Sequence, residues 1–324
     1  TAFAKSDNVI TGSMYMGSQT HSQMEPQTFY SIPQEAGTVK MLGAFQFQNF
    51  VQQVTAGALQ MPMGKITVET RRIGGAYGCK ITRPAGLAAA TTLAAMKLNK
   101  PVKMVMRIMY QNDMIGKRNQ FKTDYKIGFG NDGRVNAISV TIYQQSGAFF
   151  DGDNFSMSAA VTTISNCYTV PNWYINGVLC KTNIPAQTSV RGPGWTNGVC
   201  LSEAMFEDVA SFLKMDPLTV KQLNLAKAGD MTPYQQPLEY FPLNSMLTQL
   251  QATSNYVARK LEIDQYNLAN RWTKRGISFV PARFNVSNAN DPFGALVCAY
   301  ADGTVQISVG GFEVGQGLNT KVAQ

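Results

Sequence analysis

Histidine is almost missing from this chain: His21 is the one histidine in 324 residues. A histidine-ligated metal centre therefore has no ligand set to draw on. Cysteine offers little more, because Cys79, Cys167, Cys180, Cys200 and Cys298 lie far apart and make no C-x-x-C pair. That argues against a zinc or iron–sulfur framework and suits a reducing compartment, so a cytoplasmic location is expected. Direct ligation of a metal by side chains is not expected. No apolar run approaches the ~18 residues of a membrane-spanning helix, so no membrane partner is expected either. Basic stripes are lacking as well. The net charge is +8, from 28 Lys and Arg against 20 Asp and Glu, yet the basic residues are scattered, with only short pairs such as Arg71-Arg72 and Lys274-Arg275. Nucleic acid is not an expected partner.

What is present is an ample apolar content, 44% of residues, enough for a buried core. Residues 48–60 place Phe50, Val51, Val54 and Ala58 on one helical face. Alternating residues flank Asn131-Asp132-Gly133 over 125–143, and Ala301-Asp302-Gly303 over 295–309, so each stretch reads as a hairpin. Helices are expected over 201–214, over 217–227 after the Asp216-Pro217 start, and over 244–261. No repeat, linker or low-complexity tract interrupts them. Separate hairpins and helices of this kind indicate an α+β fold. The chain begins at Thr1 and stops within what reads as an unfinished element, so a longer polypeptide is expected around it.

Glycines gather in four polar loops. The stretch Arg71-Arg-Ile-Gly-Gly-Ala-Tyr-Gly-Cys-Lys80 sits between a strand-like segment (65–73) and a helical one (86–98). At such a junction backbone N–H groups meet the positive end of a helix dipole, which suits an anion and also suits a plain turn. It is neither a P-loop, since Cys79 precedes Lys80, nor a G-x-G-x-x-G fingerprint. The other loops are Gly17–Glu25, Val190-Arg-Gly-Pro-Gly194 and Gly310–Lys321. Between them they carry amide donors at Gln19 and Gln316 and a planar guanidinium at Arg191. A set of this kind suits a large, oxygen-rich, phosphate-bearing cofactor held by hydrogen bonds, provided that the loops converge.

Taken in order, these loops resemble the molybdopterin-binding region of the xanthine dehydrogenase and aldehyde oxidase family. Gly17-Ser-Gln-Thr-His-Ser-Gln-Met-Glu25 matches its G-G-Q-x-H-x-x-x-E stretch, with Ser18 in place of the second glycine. Arg72 to Arg83 match its R-x-G-G-x-[FY]-G-x-K-x-[ST]-R loop. Asn166-Cys-Tyr-Thr-Val-Pro171, Leu179-Cys-Lys-Thr-Asn183, Arg191-Gly and Gly315-Gln-Gly-Leu-Asn-Thr-Lys321 follow collinearly. The resemblance implies a first molybdopterin-binding subdomain over 1–260 and the truncated start of a second over 261–324. It implies that Gln19 bonds an oxo ligand of molybdenum and that Ala76, Tyr77 and Gly78 pass beside the metal. Arg191 is then a cofactor contact, and Val314 and Gln316 lie on the dithiolene and pterin side. Tyr77 stands where phenylalanine is common, so an aromatic wall survives with a hydroxyl added.

The departures bear on substrate. Purine-hydroxylating members carry a glutamate where this chain has Ile81, and an arginine where it has Ala159. Apolar residues at both places imply a greasy aldehyde pocket. Pro193 replaces an aromatic pocket wall, and Pro193-Gly-Trp-Thr-Asn197 looks like aldehyde oxidases of the insect type. The resemblance therefore implies oxidation of small-molecule aldehydes to carboxylic acids, with water as the oxygen source and O2 as electron acceptor. The expected full-length enzyme is a homodimer holding molybdenum–molybdopterin, FAD and two [2Fe–2S] clusters. The family's base is a glutamate beyond this stretch; Glu25, Glu203 and Glu313 are expected to be structural, so no catalytic residue is assigned within these residues. A purine hydroxylase and a cofactor-free binding module remain the alternatives.

Overall fold

The computed structural model describes residues 2–284 and 294–324; residues 285–293, within the expected second subdomain, lie outside the described residues. In chain order the strands are β1 (Asn8–Met16), β2 (Thr28–Pro33), β3 (Val39–Gly43), β4 (Ile66–Glu69), β5 (Val102–Val105), β6 (Phe121–Phe129), β7 (Val135–Gly147), β8 (Asn172–Lys181), β9 (Ala295–Ala299) and β10 (Val305–Val309). The helices are α1 (Gln48–Leu59), α2 (Pro84–Leu98), α3 (Ile108–Met114), α4 (Asp153–Thr163), α5 (Trp195–Leu213), α6 (Pro217–Asn224), α7 (Leu243–Thr253), α8 (Tyr256–Ala269) and α9 (Leu318–Ala323). The architecture is α+β.

One sheet runs β1-β6-β7-β8, with β6 and β7 joined by the hairpin turn at Asn131-Asp132-Gly133. Gly133 takes φ 90° there, a conformation glycine adopts without a Cβ clash. β8 returns parallel to β7, and α4 lies in the connection between them. Alternation in β6 and β7 buries Phe121, Ile127, Val140 and Ile142 against Leu201, Met205, Phe206 and Val209 of α5. The second sheet runs β4-β3-β2-β5 and carries α1 and α2. Ala85 and Ala88 of α2 join Phe29, Val39 and Met41 in its core. A buried hydrogen bond between Ser31 Oγ and Thr92 Oγ1 (2.8 Å) ties α2 to β2. β9 and β10 form a separate, mostly exposed antiparallel pair.

Several boundaries differ from the sequence reading, each for a local reason. The helix expected over 244–261 is two helices, because Asn255 takes φ 52° between α7 and α8. α5 starts at Trp195, ahead of Leu201, where Gly194 at φ 80° turns the chain into the helix. α6 ends at Asn224 because Leu225 bridges to Tyr168 instead. The strand expected across 65–73 stops at Glu69, since Arg72 and Ile73 leave the sheet to meet Glu313.

Candidate functional site

The glycine loop between β4 and α2 is held mainly by its neighbours. Glu25 accepts from Gly74 N–H (3.0 Å) and from Lys80 Nζ (2.7 Å), while Lys80 also donates to the Gly75 carbonyl (2.8 Å). The Lys80 side chain is fully buried. Gln46 Oε1 accepts from the N–H groups of Gly78 (3.0 Å) and Lys80 (3.2 Å). Ile73, Cys79 and Ile81 N–H groups are also bonded within the protein. Residues 73–81 are therefore no open anion nest, for six of their nine backbone donors are taken. Within 73–81, the N–H groups that meet no partner among the described residues belong to Gly75, Ala76 and Tyr77. Tyr77 is held at φ 53° and is 43% exposed, a strained backbone for a residue with a Cβ.

Two of the polar loops meet at one buried arginine that the sequence reading passed over. Arg118, 7% exposed, precedes β6. Its Nε donates to Gln19 Oε1 (2.8 Å), its Nη2 to the Arg191 carbonyl (2.8 Å), and its Nη1 to Thr196 Oγ1 (3.0 Å) and the Gly192 carbonyl (3.3 Å). Its own N–H donates to the Gln19 carbonyl (2.9 Å), and its carbonyl accepts from Ser18 Oγ (2.8 Å). Arg191 N–H in turn donates to the Tyr77 carbonyl (2.9 Å), linking this group to the glycine loop. His21 Nε2 lies 2.9 Å from the Ser189 carbonyl oxygen, and Gly78 packs on the same carbonyl. Burial holds the His21 ring below the usual histidine range; the Ser189 carbonyl opposes this, and the Arg118 charge adds to it. His21 is thus a neutral donor within the fold. The Arg191 guanidinium is exposed and meets no partner among the described residues.

The fourth loop joins through Glu313. Its carbonyl accepts from Ile73 N–H (3.2 Å), and its carboxylate accepts from the N–H groups of Gly315 (2.7 Å) and Gly317 (3.0 Å). Val314 and Phe312 pack on a small cluster of Ala44, Ile73 and Ala76. Gln316 folds onto its own turn, accepting from Val314 N–H (2.7 Å) and donating to the Phe312 carbonyl (2.9 Å). A cleft of about 490 Å³ runs between this loop and the start of α1, lined by Gln46, Phe47, Gln48, Phe312, Val314 and Gln316. All four loops therefore converge.

The three pocket residues lie around the third loop and the glycine loop. Ala159, on α4, is 6% exposed and packs on Gly194; Pro193, beside that glycine, is half-buried. Ile81, also half-buried, bonds back to the Gly78 carbonyl (3.2 Å). Two aromatic side chains not singled out in the sequence stand here. Phe155, one helical turn before Ala159, meets Trp195 edge-on at 5.2 Å, and Trp195 packs on Phe284 at 5.0 Å. The signal was available: Phe155 and Ala159 are spaced i, i+4 on one helix.

Glu203, Cys79 and Cys167 are bonded or buried within the fold. Glu203 Oε1 accepts from Tyr168 Oη (2.7 Å) and Asn166 Nδ2 (2.8 Å), and its Oε2 pairs with Lys221 at 3.1 Å. Burial holds its carboxyl above the ordinary range against the pull of these donors. Burial also pushes the Cys79 and Cys167 thiols up to about 12, which keeps them inert. Among the described residues no group of three or more His, Cys, Asp and Glu side chains is placed to hold a metal ion.

Residues 1–225 match the molybdopterin cofactor-binding domain family, and residues 249–324 match a second family of the same description. The chain belongs to the molybdopterin cofactor-binding domain family. Within it, the match is to the molybdopterin-binding region of xanthine dehydrogenases and aldehyde oxidases. Xanthine dehydrogenase of Drosophila pseudoobscura pseudoobscura is 35% identical over 327 residues, covering 100% of this chain and 24% of that protein. Aldehyde oxidase 1 of Bos taurus is 34% identical, with the same 100% and 24% coverage. The chain thus spans about a quarter of the length of the relatives it matches. The aldehyde oxidoreductase from Desulfovibrio gigas shares the fold at a TM-score of 0.78 and 22% identity, over 94% of this chain and 33% of that one. Quinoline 2-oxidoreductase from Pseudomonas putida 86 does so at 0.75 and 19%, over 83% and 35%.

The donors on this molybdopterin-binding chain fit such a cofactor. The Gln19 amide N–H groups, the Gly75–Tyr77 backbone N–H groups and the Arg191 guanidinium have no partner among the described residues. The amide nitrogen of Gln23, in the same loop as Gln19, is buried and unpartnered too. Of these, Gln23 and Ala76 are buried, where a donor without an acceptor is costly, while Gln19, Tyr77 and Arg191 are exposed, where an oxygen-rich ligand can take the place of water as their acceptor. Gly75 and Gly78, at φ 90° and 110°, keep side chains out of the way.

Proposed function

We propose that this chain forms the cofactor-holding part of a molybdenum hydroxylase that oxidises aldehydes to carboxylic acids. The observation that carries the substrate class is the apolar surround of Ala159: Gly194 packs on its Cβ, and Phe155, one turn earlier on α4, meets Trp195 at the start of α5. Neither Ile81 nor Ala159 offers a charge to the polar edge of a purine. An unpaired polar group costs about 1–3 kcal/mol on burial, so a purine with several such groups is disfavoured. An aldehyde brings one strong acceptor, its carbonyl oxygen.

In the overall reaction aldehyde and water give a carboxylic acid, two electrons and two protons. Bound molybdopterin supplies the metal that takes up the two electrons. With the cofactor bound, Gln19 would donate a hydrogen bond to it from its amide, and Arg191 and the Gly75–Tyr77 backbone would orient it. Phe155 and Trp195 exclude water beside the substrate. Glu25, Glu203 and Glu313 are committed to Lys80, to Tyr168 and Asn166, and to their own loop, so the general base is assigned to another part of the enzyme. The full-length protein is proposed as a cytoplasmic homodimer that passes electrons through two [2Fe–2S] clusters and FAD to O2.

Purine hydroxylation is the second reading, because the chain is as similar to a xanthine dehydrogenase, at 35% identity, as to an aldehyde oxidase, at 34%. The test is the ratio of kcat/KM for benzaldehyde and for xanthine in the full-length enzyme. A preference for benzaldehyde supports the aldehyde reading, and a preference for xanthine overturns it. Molybdenum analysis of the same preparation tests the cofactor-free module.

A further inference from the structure

Arg118 makes an uncommon set of contacts for a buried guanidinium. Its four side-chain partners are the Gln19 amide oxygen, the Arg191 and Gly192 carbonyls and the Thr196 hydroxyl, all neutral. Among the described residues it forms no ion pair. A guanidinium has donors only, so the Gln19 atom facing Nε at 2.8 Å must be the carbonyl oxygen. The amide NH2 is thereby turned the other way, and among the described residues it meets nothing. A flipped amide would set N–H against N–H. The same guanidinium also carries the backbone of Arg191 and Gly192, so one planar group sets both the direction of the Gln19 amide and the place of the Arg191 loop. Ser18, where this chain departs from the family's glycine, adds a hydroxyl that holds the Arg118 carbonyl at 2.8 Å.

We propose that Arg118 is the positioning residue of the site: because its guanidinium can only donate, it locks Gln19 with its amide nitrogen presented to the cofactor and holds Arg191 in register beside it. The proposal rests on the reading of Gln19 as a cofactor-facing donor. Lysine cannot copy the function, because an ammonium lacks the planar fork that reaches Gln19, Arg191 and Thr196 together.

The experiment uses the full-length enzyme with Arg118→Lys, Arg118→Met, Gln19→Leu and the double change Arg118→Met with Gln19→Leu. Three quantities are read: molybdenum per protomer, the Mo(V) electron paramagnetic resonance signal after partial reduction, and kcat/KM for an aldehyde. Removing a group that orients a metal-site ligand lowers activity or metal affinity about 10- to 100-fold, and that is the loss expected for each single variant. The Mo(V) signals of Arg118→Lys and Gln19→Leu should move alike, a readout that a purely structural arginine would leave untouched. Because Arg118 acts through Gln19, the double variant should fall within about twofold of the worse single variant. Losses that multiply, or an Arg118→Lys enzyme with unchanged signal and turnover, overturn the proposal while leaving Gln19 in its role. An unimpaired Gln19→Leu enzyme overturns the reading of Gln19 and the proposal with it. Arg118→Lys keeps the charge and the bulk, so it decides the matter if Arg118→Met does not fold.

Discussion

Gly78 lies directly against the Ser189 carbonyl: a Cβ at position 78 would fall far inside van der Waals contact with that oxygen. The same backbone sits at φ 110°, which a side chain disfavours on its own account. Gly78→Ala therefore has two penalties, about 1–3 kcal/mol of backbone strain and a collision that must push the Arg191 loop away. The expected outcome is a lower Tm together with a loss of molybdenum from the full-length enzyme. A variant with unchanged Tm and full metal content would mean that the two loops are free to separate.

Lys80 and Glu25 predict an asymmetry. The lysine side chain is fully buried, whereas that of Glu25 is 36% exposed. Glu25→Ala leaves a buried cation with only the Gly75 carbonyl, and breaking a buried pair in this way costs about 3 kcal/mol or more. Lys80→Met leaves a carboxylate that water still reaches and that keeps its Gly74 N–H bond, a loss of about 1 kcal/mol. Denaturant unfolding of the two variants should rank Glu25→Ala as the less stable. The reverse order would show that Lys80 is solvated in solution.

How much of this was legible in the sequence follows from where the contacts are made. Alternation around Asn131-Asp132-Gly133 disclosed β6 and β7 because side chains carry the pattern, and the apolar face of 48–60 disclosed α1 for the same reason. Convergence of the loops was not legible from patterning, since it is made largely by carbonyls of Gly75, Ser189, Arg191 and Gly192, which any residue possesses. Arg118, in Gly116-Lys-Arg-Asn119, reads as surface charge until the fold buries it. The break at Asn255 was hidden because helical periodicity runs on across it, while a single asparagine adopts the left-handed conformation at little cost. The resemblance to a family placed Gln19 and Arg191 together; it gave no sign of the residue that joins them.

His21 makes the stability of this region depend on pH. A carbonyl only accepts, so Nε2 carries the proton in its bond to Ser189. Burial, the largest influence, lowers the folded-state pKa; the Ser189 carbonyl opposes it, and the charge of Arg118 lowers it further. The unfolded chain thus binds the extra proton first as pH falls. Stability from this group is complete above about pH 6.5 and is lost as pH drops through the depressed folded value. Tm should fall more steeply between about pH 7.5 and pH 5.5 for the wild type than for His21→Gln, whose amide nitrogen can still donate to Ser189. Equal slopes would remove His21 from the account.

Arg191 separates charge from geometry. Its backbone is fixed by Tyr77 and Arg118, whatever its side chain does. Arg191→Lys should therefore leave Tm unchanged while lowering molybdenum occupancy or turnover, since an ammonium cannot make a forked contact. Loss of stability without loss of metal would reassign Arg191 to the fold.

Substrate choice gives the last prediction, and the structure makes the two pocket positions unequal. Ile81 is half-buried at the end of the glycine loop, so Ile81→Glu can turn its carboxylate toward water or toward a ligand without disturbing the core. Ala159 is 6% exposed, and its Cβ packs on Gly194 at the entry to α5. An arginine there must thread past Phe155 and Trp195 or displace them, and overpacking costs about 1–3 kcal/mol. Ile81→Glu alone should keep the wild-type Tm and weaken aldehyde oxidation, because a charge replaces apolar contact worth roughly 25 cal/mol per Å² of buried surface. Ile81→Glu with Ala159→Arg supplies both polar partners that a purine needs, at the expense of stability. Measured as the ratio of kcat/KM for xanthine and benzaldehyde, the double variant should move toward xanthine more than either single change. Adding Trp195→Ala makes room for the guanidinium and should extend that shift; if it reverses it instead, the aromatic pair belongs to purine binding and the pocket is not the apolar one described.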